Sequence, residues 1–135
     1  MIKKTINYVD FNGNNRTDDY YFHLSVPEAT RLAARFGEEG WEAGIKRVVD
    51  SGNFEEVLSI FEDIILTSYG EKSADGRAFN KNETIKTNFE NSQAYAELFE
   101  ELVNDPNAMT KFSEGIGMTN AERVKNNVTK FTPEN

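Results

Sequence analysis

Between Thr5 and Glu28 the chain spells out a β-hairpin that runs straight into a capped helix, and this order limits the folds open to it. Thr5-Ile6-Asn7-Tyr8-Val9-Asp10-Phe11 alternates in side-chain type, as a strand with one covered face does. Asn12-Gly13-Asn14-Asn15 offers residues that tolerate the positive φ angles of a tight hairpin turn. Arg16 to Leu24 reads as the return strand and is rich in aromatics. Ser25-Val26-Pro27-Glu28 then reads as a helix start. The Ser25 hydroxyl can accept from a free backbone N–H, and the Glu28 carboxylate can reach back to Ser25. Pro27 falls in the first turn, where its missing N–H is harmless. A lone hairpin is marginal in water, so it must lie on the segments that follow. The expected fold is α+β and mainly α. A hairpin over 3–24 packs on about five or six short helices over 26–117, within one domain spanning 1–118.

A chain of 135 residues suits a single domain. Such a chain buries roughly two-thirds of its unfolded surface, and its ten Phe residues supply a core. Acids outnumber bases by 23 to 15, giving a net charge of −8. Phosphate recognition needs basic patches, so nucleic acid is not an expected partner. The same charge disfavours anionic membranes. Cys is absent, which excludes disulfides, thiolate metal sites and Cys nucleophiles. No run approaches the roughly 18 apolar residues of a membrane span. No apolar stretch follows Met1-Ile2-Lys3-Lys4, so a secretory signal is not expected. These features predict a soluble protein of the cytoplasm.

Pro27 to Phe36 places Ala29, Leu32, Ala33 and Phe36 on one side of a helix stopped by Gly37. Trp41, Ile45, Val48 and Val49 mark a second helix, ended by Ser51-Gly52. Asn53, with Glu56 three residues on, caps a third helix expected to run to Tyr69 and close at Gly70. Its Phe54, Val57, Leu58, Phe61, Ile64, Ile65 and Leu66 form the widest apolar stripe in the chain. Glu71 to Asn80 is expected as a loop with a turn at Ser73-Ala74-Asp75-Gly76. Ile85 and Phe89 mark the next helix, opened at Asn82 or Thr84. Beyond Asn91-Ser92, Tyr95, Leu98, Phe99, Leu102 and Val103 share a helix face opposite Glu97, Glu100 and Glu101. Asp105-Pro106 opens a last short helix carrying Met109 and Phe112. Residues 119–135 are polar, with three bases and two acids, and are expected as a flexible tail with a weak stripe of Val124, Val128 and Phe131.

Patterns that carry chemistry are sparse. His23 is the one histidine; its place between Phe22 and Leu24 on a strand directs it to solvent, although Asp18 and Asp19 lie close in sequence. Asp10-Phe11-Asn12-Gly13-Asn14 begins like a calcium loop, but its glycine comes fourth instead of sixth and Tyr21 stands at position twelve. Gly115-Ile116-Gly117 lacks the third glycine and the preceding strand of a phosphate loop. No catalytic, cofactor or metal residues are therefore assigned. What remains is contact surface. Tyr20 and Phe22 share one strand face and Tyr21 takes the other, and a single helical layer covers only one of them. Either Tyr21 or the pair is left for a partner. From Thr87 to Thr110 there are five acids and no base. Glu97, Glu100 and Glu101 are either a solvated helix face or an attraction for a basic partner.

Several of these segments together resemble a known family. They are Thr17-Asp18-Asp19-Tyr20-Tyr21-Phe22-His23-Leu24-Ser25, the run Ile64-Ile65-Leu66-Thr67-Ser68-Tyr69-Gly70-Glu71-Lys72-Ser73-Ala74-Asp75-Gly76-Arg77-Ala78-Phe79, then Tyr95-Ala96-Glu97-Leu98-Phe99-Glu100-Glu101-Leu102 and Phe112-Ser113-Glu114-Gly115-Ile116. From about Lys4 to Met118 the chain is similar to the tail assembly chaperones of long-tailed, siphovirus-type bacteriophages of Gram-positive bacteria. It departs from them at Val26-Pro27, at Ala29 to Ala34 and after Met118. The resemblance implies a non-catalytic assembly factor in the host cytoplasm, without cofactor and absent from the mature virion. Its partners would be the tape measure protein, the tail-tube protein and a frameshifted long form of itself, with a homo-oligomer also open. The contact residues carried by this reading are Tyr20, Tyr21, Phe22, Glu97, Glu100 and Glu101.

Three other readings stand beside it. A structural virion protein of the tail or head–tail junction would be found in purified particles. An enzyme would need a carboxylate pair among Asp10, Asp18 and Asp19 together with a cleft. An acidic mimic of DNA would need a denser charge than this chain carries.

Overall fold

The computed structural model describes residues 1–130. Strands β1 (Ile2–Val9) and β2 (Asn15–Phe22) pair antiparallel, from Ile2 opposite Phe22 to Val9 opposite Asn15. On β1 the expected alternation holds: Ile2, Lys4, Ile6 and Tyr8 turn inward while Lys3, Thr5, Asn7 and Val9 are exposed. Asp10 builds the turn. Its carboxylate accepts from the backbone N–H groups of Asn12 and Asn14 at 2.9 Å each, and from Arg16 Nε at 2.8 Å. These bonds lower the Asp10 pKa, the one to Arg16 most. Only Gly13 in this turn takes a positive φ, 82°; the neighbouring asparagines do not share that work.

The sheet extends beyond the hairpin. Strand β3 (Tyr69–Lys72) pairs with the end of β2, Gly70 opposite Tyr21 and Tyr69 opposite Phe22. Strand β4 (Phe79–Asn80) pairs with β3, so the order is β1-β2-β3-β4 and β1 lies at an edge. The stretch 71–80, expected as a loop, is therefore largely a second hairpin. Its turn sits where the sequence places it: Asp75 accepts from the Ser73 hydroxyl at 2.7 Å and the Arg77 N–H at 3.0 Å. Gly70 is a strand residue, not the expected helix stop. A methyl group there would lie 2.6 Å from the Phe79 ring, so the close approach of β3 and Phe79 requires glycine.

Seven α-helices are present among the described residues: α1 (Val26–Ala34), α2 (Trp41–Ser51), α3 (Phe54–Ser68), α4 (Glu83–Glu90), α5 (Gln93–Asn104), α6 (Pro106–Gly115) and α7 (Asn120–Lys130). The fold is α+β and mainly α. The capping box at α1 is complete: Glu28 N–H donates to Ser25 Oγ at 3.3 Å and Ser25 N–H to Glu28 Oε1 at 2.9 Å. Asn53, Asn82, Ser92 and Asp105 accept at the starts of α3, α4, α5 and α6. Helix α7 corrects one expectation. Residues 120–130 of the expected flexible tail are helical and lie against α1, with Ala121 buried and Val124 half-buried. Of the expected stripe, Val124 is half-buried while Val128 stays exposed, and the buried residue of α7 is Ala121, one turn before Val124. Phe131 and the rest of the tail lie outside the described residues.

One apolar cluster joins these elements. Fully buried Phe22 meets Phe112 at 5.2 Å, Tyr69 at 5.6 Å and Phe89 at 5.7 Å between ring centroids. Burying a side chain of that size contributes about 1.5–3 kcal/mol. Just beyond β2, His23 N–H donates to Ser68 O and Leu24 N–H to Ile116 O, each at 2.8 Å, tying the strand to the ends of α3 and α6. Helix α3 buries Phe61, Ile64, Ile65 and Leu66, as its stripe predicts, and also Ile60, which that stripe did not include. Phe54 and Leu58, from the same stripe, stay exposed.

Candidate interaction surface

The three consecutive aromatics of β2 divide between core and surface. Phe22 is a core residue and not a contact residue: the helices lie over the face it shares with Tyr20. Tyr20 is half-buried on that face, 5.3 Å from Phe89, and its hydroxyl donates to the Tyr8 hydroxyl at 3.2 Å. Tyr8 in turn donates to Asp18 at 2.5 Å, a bond that raises the Tyr8 pKa. Tyr69, beneath this group, is pushed up to about 12, first by burial and then by the Glu71 charge. Tyr21 takes the opposite face and is half-buried, with the Lys72 ammonium 4.2 Å from its ring centroid. Lys3 stands opposite it on β1. The sheet surface around it is polar; Thr5 donates to Asp19 at 2.6 Å and Thr17 to Asn7 at 2.7 Å.

Glu97, Glu100 and Glu101 are exposed on α5. Glu101 accepts from Lys4 at 3.0 Å and so ties α5 to the inward face of β1. Tyr21 lies on the other face. The two groups singled out from sequence therefore do not form one patch. Among the described residues Glu97 and Glu100 make no ion pair, which leaves their charge for solvent or a partner.

His23 does not face solvent as its strand position suggests. The β3–β4 hairpin brings Phe79 against it at 6.2 Å, and its Nδ1 is buried without a hydrogen-bond partner. Burial lowers its pKa. The carboxylates near it in sequence are engaged elsewhere, Asp18 with Tyr8 and Asp19 with Thr5. Lys81 bridges this corner, donating to His23 O at 2.7 Å and to Glu28 Oε1 at 2.6 Å. Among the described residues no three His, Asp or Glu side chains gather where they could hold a metal ion.

One surface was not singled out from the sequence. Between α3 and α4 runs an open groove of about 510 Å³, lined among others by Glu55, Leu58, Glu62, Leu66, Lys86 and Glu90. Phe54, 79% exposed, stands one turn before Leu58, 45% exposed. The signal was present: a stripe from Phe54 to Leu66 is wider than any one neighbouring layer covers.

Residues 1–123 match the family model described as phage tail assembly chaperone. The chain belongs to the phage tail assembly chaperone family. The matched span runs from β1 into the first turn of α7 and so takes in the hairpin, the groove and the acidic face of α5. Comparisons with curated proteins and with solved structures give no match. In a tail assembly chaperone, contact surface is the feature to seek. This one presents Tyr21 on the sheet, Glu97 and Glu100 on α5, and Phe54 and Leu58 beside the groove. No helix among its described residues is long and apolar enough to cross a membrane.

Proposed function

We propose that this tail assembly chaperone binds the tape measure protein and keeps it soluble until tail-tube subunits are recruited around it. It works in the host cytoplasm of a Gram-positive bacterium, catalyses no reaction and leaves before the siphovirus-type virion is complete. A frameshifted long form of the chain and further copies of it belong to the same assembly. The observation that carries this reading is the family match across residues 1–123. Half-buried Tyr21 and the exposed Glu97 and Glu100 support it as contacts, and the excess of acids suits a basic partner. A tape measure helix offers repeated apolar stripes, and moderate apolar contact with flanking charge can cover them reversibly.

Co-expression with the tape measure protein tests the proposal. The expected result is a complex that purifies and a larger soluble fraction of tape measure protein. Unchanged solubility with no complex overturns it. Mass spectrometry of purified particles should lack this chain; a stoichiometric amount there would make it a structural virion protein.

A further inference from the structure

We infer that the groove between α3 and α4 is a docking site for a basic amphipathic helix of a partner chain, with Phe54 and Leu58 as its apolar contacts and Glu55, Glu62 and Glu90 as its charge contacts. This deepens the proposed function and rests on it only for naming the tape measure protein as the source of that helix.

The apolar half of the site is Leu58 on the groove's lining and Phe54, which stands at the end of the groove just outside that lining. Phe54 and Leu58 lie one turn apart on the same line of the helix, 79% and 45% exposed. The other large exposed apolar side chains among the described residues, Met1, Val9, Phe11 and Val128, belong to the hairpin and to α7. The floor continues through Leu66, where a second depression of about 370 Å³ adjoins and reaches Glu28 and Lys81. From Glu55 to Leu66 the groove follows about 17 Å of α3, which matches a partner helix of about three turns.

The charged half of the α3–α4 lining carries more acids than bases. Glu55, Glu62 and Glu90 make no ion pair among the described residues, whereas neighbouring Asp63 is held by Arg35 at 2.7 Å. Glu62 on α3 and Glu90 on α4 both line the groove, so carboxylates come to it from two helices. Lys86 is the base on this lining. A second copy offering the same face would set like charges against these acids, and a neutral apolar segment would leave them without counter-charge. A helix with Leu or Ile on one face and Lys or Arg along its edges meets both demands. The long basic stems lie over apolar surface while their charged ends reach the acids.

The test uses the full chain and a fluorescent peptide of about 15 residues, helical, with Leu on one face and Lys on its flanks. Fluorescence anisotropy gives the affinity of the wild type, of Phe54→Ser with Leu58→Ser, and of Glu62→Lys with Glu90→Lys. Glu114→Lys with Glu122→Lys makes the same charge change on α6 and α7. Circular dichroism should show every variant folded, since all these side chains are exposed. Both groove variants should bind about ten-fold or more weakly, and the α6–α7 variant within about two-fold of wild type. No binding by the wild type, equal binding by the groove variants, or an equal loss in the α6–α7 variant overturns the site. A parallel pull-down with the tape measure protein separates the two claims. If groove variants lose the peptide yet keep the tape measure protein, the groove stands and the tape measure docks elsewhere. If the wild type binds the peptide but no tape measure protein, the groove stands and the proposed function falls.

Discussion

The rings of Tyr69 and Phe89 stack at 4.1 Å with 16° between their planes, joining β3 to α4. Phe89 also touches Tyr20, Phe22 and Tyr95, so it is the shared neighbour of sheet and helices. Phe89→Ala should cost about 3–5 kcal/mol, the range for removing a large buried aromatic. Urea unfolding followed by circular dichroism measures it. A cost below about 1 kcal/mol would mean that the cluster does not hold sheet and helices together.

Gly70→Ala should destabilise by about 1–3 kcal/mol, because the added methyl meets the Phe79 ring at 2.6 Å and the Asn80 carbonyl at 2.9 Å. The carbonyl belongs to the paired strand and cannot swing away as a side-chain end can. Gly70→Ala combined with Phe79→Leu should recover only part of the loss, read from thermal midpoints.

Ser25→Ala removes one half of the capping box and should cost about 1 kcal/mol in the same unfolding assay.

Two groups at one corner give the protein a shared pH dependence. Burial works to raise the Glu28 carboxyl, but hydrogen bonds from Lys81 and from Ser25 N–H outweigh it and hold the group below its ordinary 4.5. Its contribution is present above that value and is lost as pH falls through the lower folded-state value. The His23 pKa lies below its ordinary 6.5, chiefly through burial, so below 6.5 the unfolded chain takes up a proton that the folded chain refuses. Both effects make stability fall with acidification. Lys81→Met should cost about 1 kcal/mol near neutrality and less once Glu28 is protonated. The His23 ring protons, followed by NMR, should titrate with a midpoint below 6.5; a midpoint above it would sink the burial argument.

Tyr21→Ala, and separately Glu97→Lys with Glu100→Lys, should weaken the complex with the tape measure protein while leaving the unfolding midpoint nearly unchanged. Size-exclusion chromatography of co-expressed chains reads the first effect and thermal melting the second. If every variant retains the complex, the sheet face and α5 are not the contact surfaces.

The parts of this fold written in adjacent residues were legible. The Ser25–Glu28 box, the Asn53 cap and Asp105-Pro106 each specify a local geometry and appear in place, and the expected Asn12–Asn15 turn pivots on Gly13, with Asn15 already in β2. Strand β3 was not legible, because four residues, Tyr69-Gly70-Glu71-Lys72, hold no alternating pattern and gain their strand character from pairing with Tyr21 and Phe22. Helix α7 was missed because its apolar side is as small as Ala121 and Val124, and a stripe that weak counts only once α1 lies against it. The site was harder still. Adjacent Tyr21 and Phe22 have opposite fates, and sequence cannot say which face the helices take. Phe54 reads as core by period, yet no layer reaches it.

Helix α3 passes into β3 without a spare residue: Ser68 closes the one and Tyr69 opens the other, while the Ser68 carbonyl is already taken by His23. One unbroken stretch of backbone thus carries Phe54 at its start and, at its end, the Gly70 that pairs with Tyr21, so the groove and the outer sheet face are built on the same continuous segment.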